Sequence, residues 1–139
     1  WQWGFVSGAE PPSARFVLET RLGLLNPPLI AMGDAPDKPD PTGLVQLSDS
    51  LLPSQSGGVI AYLGDTVADV QTVLRARDQR PDRDWISLAV SPPHLLPGSA
   101  ERNAYEQQLR STGADLILSS TLEAVQWSMH SRDPDSQGD

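Results

Sequence analysis

The stretch Gly58-Val59-Ile60-Ala61-Tyr62-Leu63-Gly64-Asp65-Thr66-Val67-Ala68-Asp69-Val70 decides how this chain folds. Val59 to Leu63 is a short apolar run, the pattern of a strand buried on both faces. Gly64 permits a tight turn. From Thr66 onward, Val67, Val70, Val73 and Leu74 share one helical face. Asp65 thus stands at the carboxyl end of a strand, and Asp69 follows one helical turn later. Both carboxylates can face one cavity. Two carboxylates with water and phosphate oxygens suit Mg²⁺, which takes hard oxygen ligands and keeps several waters. The same spacing also fits a plain helix start, with Asp65 as the cap and Asp69 in the first turn.

Strands and helices alternate on both sides of this stretch. Upstream, Trp3–Val6 reads as a strand ending in Ser7-Gly8. Pro11-Pro12 open a helix whose stripe is Ala14, Val17, Leu18, Arg21 and Leu22, with Gly23 as its cap. Leu29–Met32 is a second strand, Gly33–Pro41 a loop, Thr42 to about Leu51 a helix, and Pro53–Gly58 a turn. Downstream come the charged turn Arg80–Asp84, a strand at Trp85–Val90 and the Pro-rich loop Ser91–Ser99. A helix at Ala100–Ser111, a strand at Ala114–Leu118 and a helix to Met129 complete the series. The pattern predicts one α/β domain over residues 1–129 with a mainly parallel sheet. Residues 130–139 have no apolar content and are expected to form a disordered polar tail.

Composition narrows the function. The chain has 139 residues, 18 acidic against 10 basic side chains, and a net charge of −8. That balance argues against a nucleic-acid partner, which needs clustered Lys and Arg, and against an anionic membrane surface. There is no cysteine, which excludes disulfides, thiolate metal sites and cysteine nucleophiles. With no long apolar span, a cytoplasmic location is the expectation.

In α/β sheets ligands gather beyond the carboxyl ends of the strands. The other candidate residues stand at such ends. Ser7 and Gly8 offer a hydroxyl and backbone N–H groups suited to an anion, or simply make a strand-to-helix turn. Lys38, in Asp37-Lys38-Pro39-Asp40-Pro41, is held in a stiffened loop and can neutralise a phosphoryl group or a carboxylate; otherwise it is a solvated loop lysine.

Taken in order, apolar strand–Ser, Lys-Pro-Asp-Pro, then apolar strand–Gly-Asp-x-x-x-Asp resembles the haloacid dehalogenase-like (HAD) superfamily, subfamily I type. Phe5-Val6-Ser7-Gly8 resembles its motif II, Lys38 its motif III lysine, and Gly64 to Asp69 its motif IV. The resemblance runs over nearly the whole chain and implies a HAD-like Rossmannoid three-layer sandwich. It implies an Mg²⁺-dependent phosphatase acting on a small phosphorylated metabolite through an aspartyl-phosphate. Ser7 and the Gly8 N–H would bind the phosphoryl oxygens. Lys38 would hold the charge of nucleophile and phosphoryl group. Asp65 would ligate Mg²⁺, and Asp69 would ligate it or orient its water.

One motif is missing. The family's first motif is an apolar strand ending in Asp-x-Asp, which supplies the nucleophile and lies between the strands of motifs II and IV. Only six residues precede Ser7, and Asp82-Arg83-Asp84 and Asp133-Pro134-Asp135 stand in a charged turn and a polar tail. The cap domain is missing too. The expectation is therefore a fragment of the core, with a gap in its sheet, inactive and poorly stable alone. The competing expectation is a non-catalytic HAD-like or Rossmann-like binding or regulatory domain. A receiver domain fits less well, because its Lys follows its acidic pair rather than preceding it.

Overall fold

The computed structural model describes residues 2–52 and 58–130. Its elements are β1 (Phe5–Val6), α1 (Pro11–Arg15) running on as a π-helical segment (Phe16–Arg21), β2 (Leu29–Ile30), α2 (Thr42–Leu51), β3 (Val59–Gly64), α3 (Val67–Gln79), β4 (Asp84–Val90), α4 (Ala100–Thr112), β5 (Leu116–Leu118) and α5 (Thr121–His130). Every expected strand and helix is present, with the small strands trimmed at their ends. His130 closes α5, whereas the rest of the expected tail and residues 53–57 of the expected turn lie outside the described residues.

All strand pairing among the described residues is parallel. β3 pairs with β4 from Val59↔Asp84 to Gly64↔Ala89, and β4 pairs with β5 from Leu88↔Leu116 to Val90↔Leu118. β1 pairs only with β2, at Phe5↔Leu29 and Val6↔Ile30. The described residues thus form two parallel sheets, β1-β2 and β3-β4-β5, and no ladder joins β1 to β3.

Alternation along the strands sorts side chains onto two faces. Trp85 and Ala89 of β4 face α3 and α4, where Val70, Val73, Ala76 and Leu109 are fully or almost fully buried. Ile86, Leu88 and Val90 turn the other way, toward Ala124 and Trp127 of α5. Helices therefore lie on both faces of the β3-β4-β5 sheet, but Val59 and Ala61 of β3 stay exposed, so this strand is not buried on both faces as its apolar run suggested. Val6 of β1 packs on the same cluster as Ile60 and Tyr62 of β3, together with Leu44 of α2 and Val73 of α3. The two sheets share one core although their strands are not hydrogen-bonded to each other.

The first helix departs from the expected stripe. Ala14 and Leu18 are buried, but Val17 and Leu22 are exposed. The cause is the π-helical segment: Leu22 N–H donates to Val17 C=O, five residues back, at 3.0 Å. The wider turn rotates later residues away from the face that 3.6-residue periodicity assigns them. Gly23 follows with φ +68°, the left-handed conformation expected of its capping position.

Candidate functional site

The β3–α3 junction is built around Asp69. Thr66 is the N-cap of α3, and its hydroxyl accepts from the Asp69 N–H at 3.1 Å. Asp69 Oδ2 in turn accepts from the Thr66 N–H at 3.0 Å, closing a reciprocal capping box. The plain-helix alternative named Asp65 as the cap; the cap is one residue later. Thr66-Val67-Ala68-Asp69 spelled that box in the sequence.

Asp69 is buried, and five donors reach its carboxylate. Oδ2 accepts from the Asp65 N–H at 3.0 Å, the Thr66 N–H and the Thr66 hydroxyl at 2.8 Å. Oδ1 accepts from Lys38 Nζ at 2.6 Å and from the Tyr62 hydroxyl at 3.2 Å. A carboxylate has about four lone-pair sites, so this one is saturated by the protein. Burial pushes the Asp69 carboxyl up, but the hydrogen bonds from Lys38 and Thr66 and the Lys38 charge outweigh it and hold it below the usual 3.8. Burial, then the neighbouring Asp69 charge, pushes the Tyr62 phenol well above its ordinary value, so it stays protonated and can donate to Asp69.

Gly64 is required sterically. A Cβ added there would lie 2.3 Å from the Cβ of Asp69. Only glycine lets the strand end pass so close to the carboxylate.

Asp65 differs from Asp69 in every respect. It is exposed, and no described side chain or backbone group bonds its carboxylate. Its backbone is fixed at both ends: its N–H goes to Asp69 Oδ2, and its C=O accepts a hydrogen bond from the Tyr105 hydroxyl of α4. An open, positioned carboxylate at the carboxyl end of a parallel strand is a fitting ligand for a hard cation, which needs one or two protein carboxylates plus phosphate and water. Among the described residues no group of three or more His, Asp or Glu side chains converges to hold a metal.

The structure therefore joins Lys38 to Asp69 through their side chains and Asp65 to Asp69 through its backbone N–H. Ser7 and Gly8 stand at the carboxyl end of β1, and no hydrogen bond or ion pair among the described residues joins them to that group. Ser7 N–H donates to Ile30 C=O at 2.8 Å, and its hydroxyl accepts from the Ala9 N–H at 3.1 Å, a local turn. Tyr62 and Tyr105 belong to the site, and the sequence signal for them was slight: a hydroxyl-bearing aromatic inside an apolar strand, and another on a polar helix.

No helix among the described residues is long and apolar enough to cross a membrane. No protein-family model matches the sequence, and neither a curated protein nor a solved structure matches it, so the residues above are the ground for any functional reading.

Proposed function

We propose that the chain carries the metal- and phosphate-binding half of an Mg²⁺-dependent phosphohydrolase with a HAD-like Rossmannoid core. One observation carries this reading: Asp69 holds Lys38 by one carboxylate oxygen and the Asp65 backbone by the other, leaving the Asp65 carboxylate free. Lys38 comes from the loop after β2 and Asp65 from the end of β3, so the network clamps the ends of both sheets into one charged site.

Phosphoryl transfer needs positioning and charge stabilisation more than covalent chemistry from the protein. Asp65 would hold Mg²⁺, which when bound supplies charge neutralisation to the phosphoryl oxygens. Asp69 holds Lys38 and the Asp65 backbone in place, and its saturated oxygens suit this positioning role better than direct ligation. Lys38 supplies a fixed positive charge. Ser7 and Gly8 would donate to phosphoryl oxygens from the neighbouring strand end. The split between β1 and β3 supports the reading. Among the described residues β1 and β3 each have one unpaired edge and both pack on one core, as they would with an intervening strand carrying the nucleophilic aspartate.

The alternative is a non-catalytic binding domain. It is favoured by the same saturation of Asp69, since the Lys38–Asp69–Thr66 network braces the fold whether or not a metal binds. Titration with inorganic phosphate, with and without MgCl₂, separates the two. The phosphatase reading expects Mg²⁺-dependent phosphate binding that Lys38→Ala removes. Phosphate binding that ignores both Mg²⁺ and Lys38 would leave the non-catalytic domain.

A further inference from the structure

A recess of about 560 Å³ opens beside Asp65, at the carboxyl ends of β3, β4 and β5. Leu63 and Val90 form its apolar part, and Ser91, Ser119, Ser120 and Thr121 line it with hydroxyls. Its volume suits a small molecule, and its place is where parallel sheets bind ligands.

The charges around the recess select among ligands. Arg102 is the cation in its wall, and that guanidinium is spoken for. Nε donates to Glu106 Oε1 at 2.8 Å, and one terminal nitrogen donates to Ser119 C=O at 2.9 Å. Glu106 also accepts from the Ser91 hydroxyl at 3.1 Å. At the start of α5, Glu123 accepts from both the Ser119 N–H and its hydroxyl, at 2.5 Å each, and so already answers the positive end of that helix. Asp65 adds an uncompensated carboxylate at the mouth. The Arg102 charge is thus answered by Glu106, and among the described lining residues the recess offers no free cation to a further anionic group. The hydroxyl of Thr121, by contrast, has no partner in the described structure and lines the recess.

We propose that this recess seats a neutral polyhydroxylated group, a polyol or sugar. Resting on the phosphohydrolase reading, it is the subsite for the alcohol portion of a monophosphate ester. It favours a neutral alcohol portion over an acidic one, because the guanidinium lining it is already paired with Glu106.

The test is a titration of the ¹⁵N-labelled 139-residue chain, without Mg²⁺, with D-glucitol and with its dianionic counterpart D-glucarate. Saturable shifts at the Ser91, Ser119, Ser120 and Thr121 amides are expected with glucitol and not with glucarate. Thr121→Val should weaken glucitol binding about two- to tenfold, the worth of one hydrogen bond, and Thr121→Ser should restore it. Preserved spectral dispersion in both variants shows that the fold is intact. Tighter binding of glucarate at these amides, or no saturable glucitol shift, overturns the assignment. The metal reading is scored separately, by MgCl₂ at the Gly64 and Asp65 amides. A glucitol site without a Mg²⁺ site keeps the recess and removes the phosphatase reading, and the converse result does the reverse.

Discussion

Lys38 and Tyr62 donate to the same oxygen of Asp69, from 2.6 and 3.2 Å. Lys38 lies in a loop and Tyr62 in β3, so one buried carboxylate oxygen ties the Lys-Pro-Asp-Pro loop to the strand that delivers Asp65. The two aspartates of the opening motif are therefore unequal: one organises the site and the other is left open to a ligand.

That inequality should appear in stability. Asp69→Asn leaves the half-buried Lys38 without its counter-charge and places an NH₂ group where only donors already point. A loss of about 3 kcal/mol is expected, as for other broken buried pairs. Asp65→Asn changes an exposed side chain and should stay within about 0.5 kcal/mol. Urea unfolding of the two variants beside the parent chain measures the difference. Equal losses would contradict the assignment of roles.

The pH dependence follows from the sign of the Asp69 shift. Its folded carboxyl titrates below 3.8, so the unfolded chain binds that proton more readily. The stabilisation is fully present above the ordinary carboxylate range, about pH 5 and higher, and is lost as pH falls through the folded value. The gap between the parent chain and Asp69→Asn should hold steady near neutrality and shrink below about pH 4. A gap that widens on acidification would reverse the sign.

Gly64→Ala forces a methyl group to within 2.3 Å of the Asp69 side chain. Overpacking of this kind costs about 1–3 kcal/mol, and here it also pushes Asp69 from its donors. The variant should lose stability and, with Asp69 displaced, weaken the Mg²⁺ binding proposed for Asp65. Gly8→Ala is the contrast, because a Cβ there meets nothing within 4 Å. Thermal unfolding of both variants checks the pair.

Tyr62→Phe removes one of two donors to Asp69 Oδ1 and leaves the Lys38 pair intact. A loss of about 1 kcal/mol is expected, clearly smaller than for Asp69→Asn. A double variant with Lys38→Met should lose more than the sum of the single changes, since the oxygen is then left without a donor. Strict additivity would show that the two donors act independently.

Much of this fold was legible in the sequence because its elements are punctuated locally. Gly64 at the end of an apolar run, Thr66-x-x-Asp69 before a helical stripe, and Ser99 before α4 each mark a boundary through backbone chemistry alone. The π-helical segment at Phe16–Arg21 was not legible, because an extra residue in one turn leaves no trace in apolar spacing. In the site, the grouping of Lys38 with the Asp65–Asp69 stretch followed from topology, since both loops leave carboxyl ends of parallel strands. The saturation of Asp69 did not. It depends on Tyr62 pointing across the strand and on Lys38 crossing from another loop, which are tertiary contacts that spacing does not encode.

The most direct test of the central claim is Mg²⁺ titration of the ¹⁵N-labelled chain, read at the Gly64, Asp65 and Thr66 amides, for the parent chain and for Asp65→Asn. Saturable shifts in the parent that vanish in Asp65→Asn, whose stability is otherwise unchanged, are the predicted result. Shifts of equal size in both proteins, or none in the parent, would contradict the assignment of Asp65 as the open metal ligand.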